Sequence, residues 1–143
     1  MSKIAVVYWS GTGNTEAMAN EVAEGAKAAG AEVDVLTASE FGADKMDAYD
    51  AVAFGCPAMG AEELEDSEFE PMFSDCEGKL GGKKIALFGS YGWGDGEWMR
   101  NWVEQMEGAG ATVVGGEDAI CQEAPDEEAQ DELKAMGKQL AAI

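Results

Sequence analysis

The chain contains no histidine, three cysteines, three prolines, and nine lysines and arginines against 29 acidic residues. Each shortage excludes a class of chemistry. Without histidine there is no Ser-His or Cys-His catalytic pair, and the commonest metal ligand is missing. Cys56, Cys76 and Cys121 are odd in number and lack C-x-x-C spacing. Neither a disulfide framework nor a zinc site is supported, and free, buried or half-buried thiols are expected. No apolar run approaches the roughly 20 residues that span a bilayer, and the chain opens on a strand-like segment rather than a charged-then-apolar leader. A soluble, cytoplasmic protein is expected. The formal net charge of −20 on 143 residues argues against nucleic acid and anionic membrane as partners and in favour of a basic one. Between Lys3 and Lys27 there is no lysine or arginine at all.

That cation-free stretch holds the segment around which the chain is organised, residues 8–16, Tyr-Trp-Ser-Gly-Thr-Gly-Asn-Thr-Glu. It follows a short β-branched apolar run, residues 4–7, and leads into a helical pattern, so it is a strand-to-helix loop. Gly11 and Gly13 allow a tight turn. Ser10, Thr12, Asn14 and Thr15 place hydroxyl and amide donors where the unpaired N–H groups of a helix start also point, which makes a phosphate cradle built from dipoles and hydroxyls. A Walker A loop needs a Gly-Lys-Ser/Thr ending and is absent. The G-x-G-x-x-G dinucleotide fingerprint fails because Glu16 stands at its third glycine.

Along the chain, a helix is expected over residues 13–29, with Met18, Val22 and Ala26 on its core face and Gly30 ending it. Residues 32–36 alternate, with Val33 and Val35 on one side and Glu32 and Asp34 on the other, as in a half-exposed edge strand. Residues 51–55 and 85–89 are continuously apolar, the pattern of central parallel strands. A short fifth strand is placed near residues 111–114. Helical stripes run through Phe69, Met72, Phe73 and Cys76, through Trp98, Trp102, Val103 and Met106, and through Leu133, Met136, Gly137 and Leu140. Ser67-x-x-Glu70 resembles a capping box, but Pro71 leaves the start of that helix open. The last helix begins after Pro125 with Asp126, Glu127 and Glu128 at the positive end of its dipole. Five strands alternating with helices predict an α/β fold, one domain over residues 1–143, with a doubly wound five-stranded parallel sheet in the order 2-1-3-4-5. Ligands bind such sheets at the carboxyl ends of strands 1 and 3.

Three loops leave the sheet at that end. The second reads Cys56-Pro57-Ala58-Met59-Gly60-Ala61-Glu62-Glu63 and the third Ser90-Tyr91-Gly92-Trp93-Gly94-Asp95-Gly96. Met59 and Trp93, each beside glycine, suggest two walls of a slot for a flat aromatic ring.

With these motifs in place, the whole chain resembles the flavodoxins, specifically their short-chain group. The resemblance rests on Ser-Gly-Thr-Gly-Asn-Thr at 10–15, Met59-Gly60, Leu-Glu-Asp-Ser-Glu-Phe-Glu-Pro at 64–71 and Leu-Phe-Gly-Ser-Tyr-Gly-Trp-Gly-Asp-Gly at 87–96. It implies non-covalent FMN and a low-potential one-electron carrier that shuttles between semiquinone and hydroquinone and serves redox partner proteins. On this resemblance Ser10, Gly11, Thr12, Gly13, Asn14 and Thr15 form the phosphate loop, and Met59 and Trp93 flank the isoalloxazine. Gly60 faces flavin N5, in a peptide link with Met59 that reorients on reduction, and Glu62 meets the pyrimidine side. Ala58, Ala61, Ser90, Tyr91, Gly92 and Asp95 complete the cofactor-binding set. Ala61 stands where some relatives carry a polar side chain. A monomer without catalytic or metal-binding residues is implied.

Two other readings share the fold. A flavin-dependent NAD(P)H:quinone reductase would need longer loops around a substrate pocket. A phosphoaccepting receiver domain would need acidic residues ending strands 1 and 3, where Tyr8-Trp9 and Gly55-Cys56-Pro57 stand, and a lysine after strand 5, where Ala119-Ile120 stand. Charge placement adds one expectation. Lys3, Lys83 and Lys84 open strands, whereas Glu62, Glu63, Glu65, Asp66, Glu68, Asp95 and Glu97 follow them, so acids should ring the flavin end, where they steer a basic partner.

Overall fold

Residues 4–7, 51–54 and 85–88 carry side chains that are buried on both faces of a sheet, and the arrangement of the other elements follows from covering them. A computed structural model describes residues 3–10, 13–57, 68–91, 97–114, 120–122 and 125–141. The strands are β1 (Lys3–Tyr8), β2 (Glu32–Thr37), β3 (Ala51–Gly55), β4 (Lys84–Tyr91), β5 (Thr112–Val113) and β6 (Ile120–Gln122). The helices are α1 (Asn14–Ala28), a one-turn α2 (Ala43–Met46), α3 (Phe69–Cys76), α4 (Glu97–Gly108) and α5 (Glu127–Ala141). Every pairing is parallel, in the order β2-β1-β3-β4-β5.

The fifth lane is shared. Thr112 and Val113 pair with Lys84 and Ile85 at the start of β4, and Ile120, Cys121 and Gln122 pair with Gly89, Ser90 and Tyr91 at its end. The expected strand near residues 111–114 therefore pairs with only two residues of its eight-residue neighbour. Between the two segments stand Gly115, Gly116, Glu117 and Asp118, residue types with weak preference for strands.

The two faces of the sheet are unequal. One presents Val52, Phe54, Ile85 and Leu87 to α3 and α4, where Phe54 meets Phe73 edge-on at 5.6 Å and Phe69 meets Trp102 at 5.4 Å. Edge-to-face pairs of this kind add about 0.5–1.5 kcal/mol each beyond the area they bury. The other presents Ala51, Ala53 and Ala86 with Phe88 to α1 and α5. Phe69, Met72, Phe73 and Cys76 are all buried, as are Leu133, Met136, Gly137 and Leu140. On α4 the buried set is Trp98, Met99, Trp102 and Met106, with Val103 only half-buried. Pro71 is the third residue of α3, within the first turn where its missing N–H costs nothing. Ser67 lies outside the described residues, and Glu68 precedes the helix without a side-chain cap. Asp126 accepts the Ala129 N–H at 2.8 Å at the head of α5.

The amino ends of the strands are bound together by lysines. The Lys83 ammonium donates to the carbonyls of Met46 and Tyr49, and that of Lys3 lies 5.3 Å from the centre of the Tyr49 ring. Tyr49 in turn donates its hydroxyl to Asp34 at 2.8 Å, so the outward face of the edge strand is partnered. Burial first, then the Asp34 contact, pushes the Tyr49 phenol up to about 12. No helix among the described residues is long and apolar enough to cross a membrane.

Helices α1 and α5 approach until their backbones touch. A Cβ on Gly137 would lie 2.1 Å from the Val22 carbonyl oxygen, whereas one on Gly108 in α4 would meet nothing within 4 Å. In an isolated helix either Gly→Ala change would stabilise by up to about 1 kcal/mol. Denaturant unfolding should show Gly108→Ala neutral or stabilising and Gly137→Ala destabilising by about 1–3 kcal/mol, the usual cost of overpacking.

Candidate functional site

β1, β3 and β4 end side by side, and β2 lies on the other side of β1 from β3, so the chain diverges from β1 in opposite directions. A crevice opens at the carboxyl ends where it does so. Trp9 N–H donates to the Gly55 carbonyl at 3.0 Å, joining the first residue after β1 to the last of β3. From there the chain turns into α1. Gly13, at the helix cap, has φ of +93°, a left-handed conformation that a residue with Cβ adopts at a cost of roughly 1–2 kcal/mol. Its N–H donates to Ser10 Oγ at 3.0 Å, and its carbonyl accepts from Ala17 at 3.0 Å to begin the helix.

Among the described residues no side chain caps α1. Its first-turn N–H groups therefore face the crevice without a side-chain acceptor, at the positive end of a 15-residue helix. Asn14 is half-buried. Thr15 is 1% exposed and Ser90, at the end of β4, is 4% exposed, and their hydroxyl oxygens lie 3.0 Å apart. Glu16 points away from the cradle: it accepts the Tyr8 hydroxyl at 2.9 Å, and burial followed by this contact raises the Tyr8 phenol above its ordinary value.

The ends of β3 and β4 are held by a second set of contacts. Cys56 N–H donates to the Phe88 carbonyl at 3.1 Å, and the Trp98 indole N–H, from α4, donates to the Cys56 carbonyl at 3.2 Å. A Cβ on Gly89 would fall 2.2 Å from that carbonyl oxygen and 3.2 Å from the Trp98 ring. Tyr91 packs against Trp98 with ring centres 5.7 Å apart. Trp98 thus joins the base of the second loop to the helix that follows the third. The sequence reading treated Trp98 as core and did not single out Gly89; a glycine near the end of an otherwise apolar strand was the available sign of close backbone approach.

Of the residues expected to bind a cofactor, Ser10, Gly13, Asn14, Thr15, Ser90 and Tyr91 lie together at this end. Gly11, Thr12, Ala58, Met59, Gly60, Ala61, Glu62, Gly92, Trp93 and Asp95 lie outside the described residues.

The family model for flavodoxin matches residues 6–136. The chain belongs to the flavodoxin family. The flavodoxin of Megasphaera elsdenii is 52% identical over 138 residues, which span 96% of this chain and 98% of that protein. The flavodoxin of Clostridium beijerinckii is 49% identical over 138 residues, 96% of this chain and 99% of that protein. The solution structure of the two-electron reduced Megasphaera elsdenii flavodoxin superposes with a TM-score of 0.90 at 51% identity, covering 98% of this chain and 99% of that one. Flavodoxins are FMN-binding electron carriers, and so is this chain; the quinone reductase alternative is not favoured.

The described part of the site fits the phosphate of FMN. An uncapped helix N-terminus, a left-handed glycine that opens it, and the buried Thr15 hydroxyl supply donors for an anion, and Glu16 is held aside by Tyr8. Gly89→Ala, which would press a methyl group onto the Cys56 carbonyl and the Trp98 ring, is expected to weaken FMN binding and to lower stability by about 1–3 kcal/mol. Titration of apoprotein with FMN, alongside denaturant unfolding, measures both.

Proposed function

We propose that this carrier holds FMN phosphate-first at the start of α1, through Ser10, Gly11, Thr12, Gly13, Asn14 and Thr15. In the same reading the ring lies between Met59 and Trp93, with Gly60 and Glu62 at its edge. The carrier works at low potential, as a single-domain cytoplasmic monomer, with redox partners whose docking surfaces are basic. What supports the reading is the group of exposed acids at the carboxyl end of the sheet, on a chain of net charge −20. At the amino end Lys3 and Lys83 are engaged with Tyr49 and with backbone carbonyls. At the carboxyl end Glu16, Glu40, Glu68 and Glu97 are exposed. The two described thiols that bear on compartment, Cys56 and Cys76, are buried.

Bound FMN supplies the one-electron chemistry; the chain sets its electrostatic surroundings. Each acid at the crevice opposes the arrival of an electron. At about 12 Å in water one charge costs roughly 0.3 kcal/mol, on the order of 15 mV, before screening. Physiological salt, with a screening length of about 8 Å, reduces that several-fold. Several acids acting together still move a potential downward, and the same charges attract a basic partner.

The reading is tested by the rate of electron transfer from the reduced protein to a small basic redox protein, followed by stopped flow. Raising ionic strength from about 0.02 to 0.3 M should slow the second-order rate at least fivefold. A rate indifferent to salt would leave the acids a solubility device and remove the basic partner.

A further inference from the structure

Thr15 and Ser90 are 75 residues apart, both are almost fully buried, and their hydroxyl oxygens are 3.0 Å from one another. Neither hydroxyl has another hydrogen-bond partner among the described residues. Each hydroxyl carries one proton. One of the two is used between them, so one proton is left over, buried, and it must be directed somewhere. Thr15 is the second residue of α1 and sits in the mouth of the uncapped helix. Ser90 sits behind it, its backbone held by pairing with Cys121 of β6. The arrangement thus has two states. If Thr15 donates to Ser90, Thr15 turns lone pairs toward the crevice. If Ser90 donates to Thr15, the Thr15 proton is free to point into it.

We propose that Ser90 is a positioning residue for phosphate: its hydroxyl donates a hydrogen bond to Thr15 Oγ1, and the Thr15 hydroxyl in turn donates one to the phosphate. This rests on the reading that Thr15 faces the FMN phosphate. A phosphate dianion has only acceptor oxygens, so it selects the state in which Thr15 donates outward. Hydrogen bonds in series polarise one another, by about 10–30% per bond. The pairing also limits the orientations open to the Thr15 hydroxyl, so less freedom is lost when the anion binds. Ser90 contributes through Thr15 without touching the ligand. The short β6 segment acquires a reason as well, since it fixes the last three residues of β4 from which Ser90 projects.

The test is the ratio of riboflavin to FMN dissociation constants, measured by quenching of flavin fluorescence as apoprotein is added. Riboflavin differs from FMN only in lacking the phosphate, and both ligands report on the same folded fraction of each variant. Ser90→Ala should lower the ratio about fivefold, and Ser90→Cys, which keeps the volume but donates weakly, should follow it. Thr15→Val should lower the ratio by about tenfold or more, and the double variant should match Thr15→Val within about twofold, because Ser90 has no route to the phosphate once Thr15 lacks its hydroxyl. A ratio unchanged or raised in Ser90→Ala while Thr15→Val lowers it would overturn the inference and leave the phosphate reading standing. Effects of the two changes that simply multiply would also overturn it, because Ser90 would then act independently. An unchanged ratio in Thr15→Val would overturn the phosphate reading and the inference together.

Discussion

A phosphate held without lysine or arginine must be held by dipoles and hydroxyl protons, and these act over only a few ångströms. The rest of this structure depends on that constraint. An ammonium group on a long side chain tolerates an error of an ångström; a helix N-terminus and a threonine hydroxyl do not. The handover from β1 to α1 is accordingly tied on several sides. Trp9 is bonded to the end of β3, Ser10 accepts from Gly13, Gly13 takes the left-handed conformation that aims the first turn, and Thr15 is backed by Ser90 from β4. The acid nearest the cradle in sequence, Glu16, is held by Tyr8.

The scaffold behind the site is rigid for reasons of volume. Alanines on one face of the sheet and Gly25 and Gly137 on the facing helices bring α1 and α5 together until a methyl group on either glycine would meet backbone. Helix α1 therefore has little room to slide or roll, and its N-terminus keeps its place. The opposite face is filled by large aromatic side chains crossing nearly at right angles, which locks α3 and α4, and with Trp98 the base of the second loop. The lysines close the far end of the sheet, so positive charge is used structurally there.

Much of this was legible in the sequence because it repeats at short range. The stripes through Phe69 and Leu133 are periodic and emerged buried; the continuous apolar runs became central strands, and the alternation of residues 32–36 became an edge strand. Met99 was missed because it stands one residue off its stripe, and α4 buries a wider arc between sheet and α3. The contacts that make the cradle work were not legible at all. The Thr15–Ser90 pair and the Trp98 bond to Cys56 join residues distant in sequence whose types alone carry no sign of pairing. β6 escaped notice because three residues leave no period to read. The resemblance named the cofactor; it did not say how a cation-free loop holds a doubly charged group.

That question has a direct measurement. A cradle that offers donors and no cation should prefer the phosphate dianion, because a protonated oxygen presents a hydrogen to groups that are themselves donors. The second ionisation of a phosphate monoester lies near about pH 6. The affinity of apoprotein for FMN, measured from about pH 7.5 down to 5, should fall by up to tenfold per unit below that value, while riboflavin affinity stays level over the same range. FMN and riboflavin curves that run parallel through that range would contradict the account, since the protein would then be indifferent to the charge that its helix N-terminus and hydroxyls are arranged to hold.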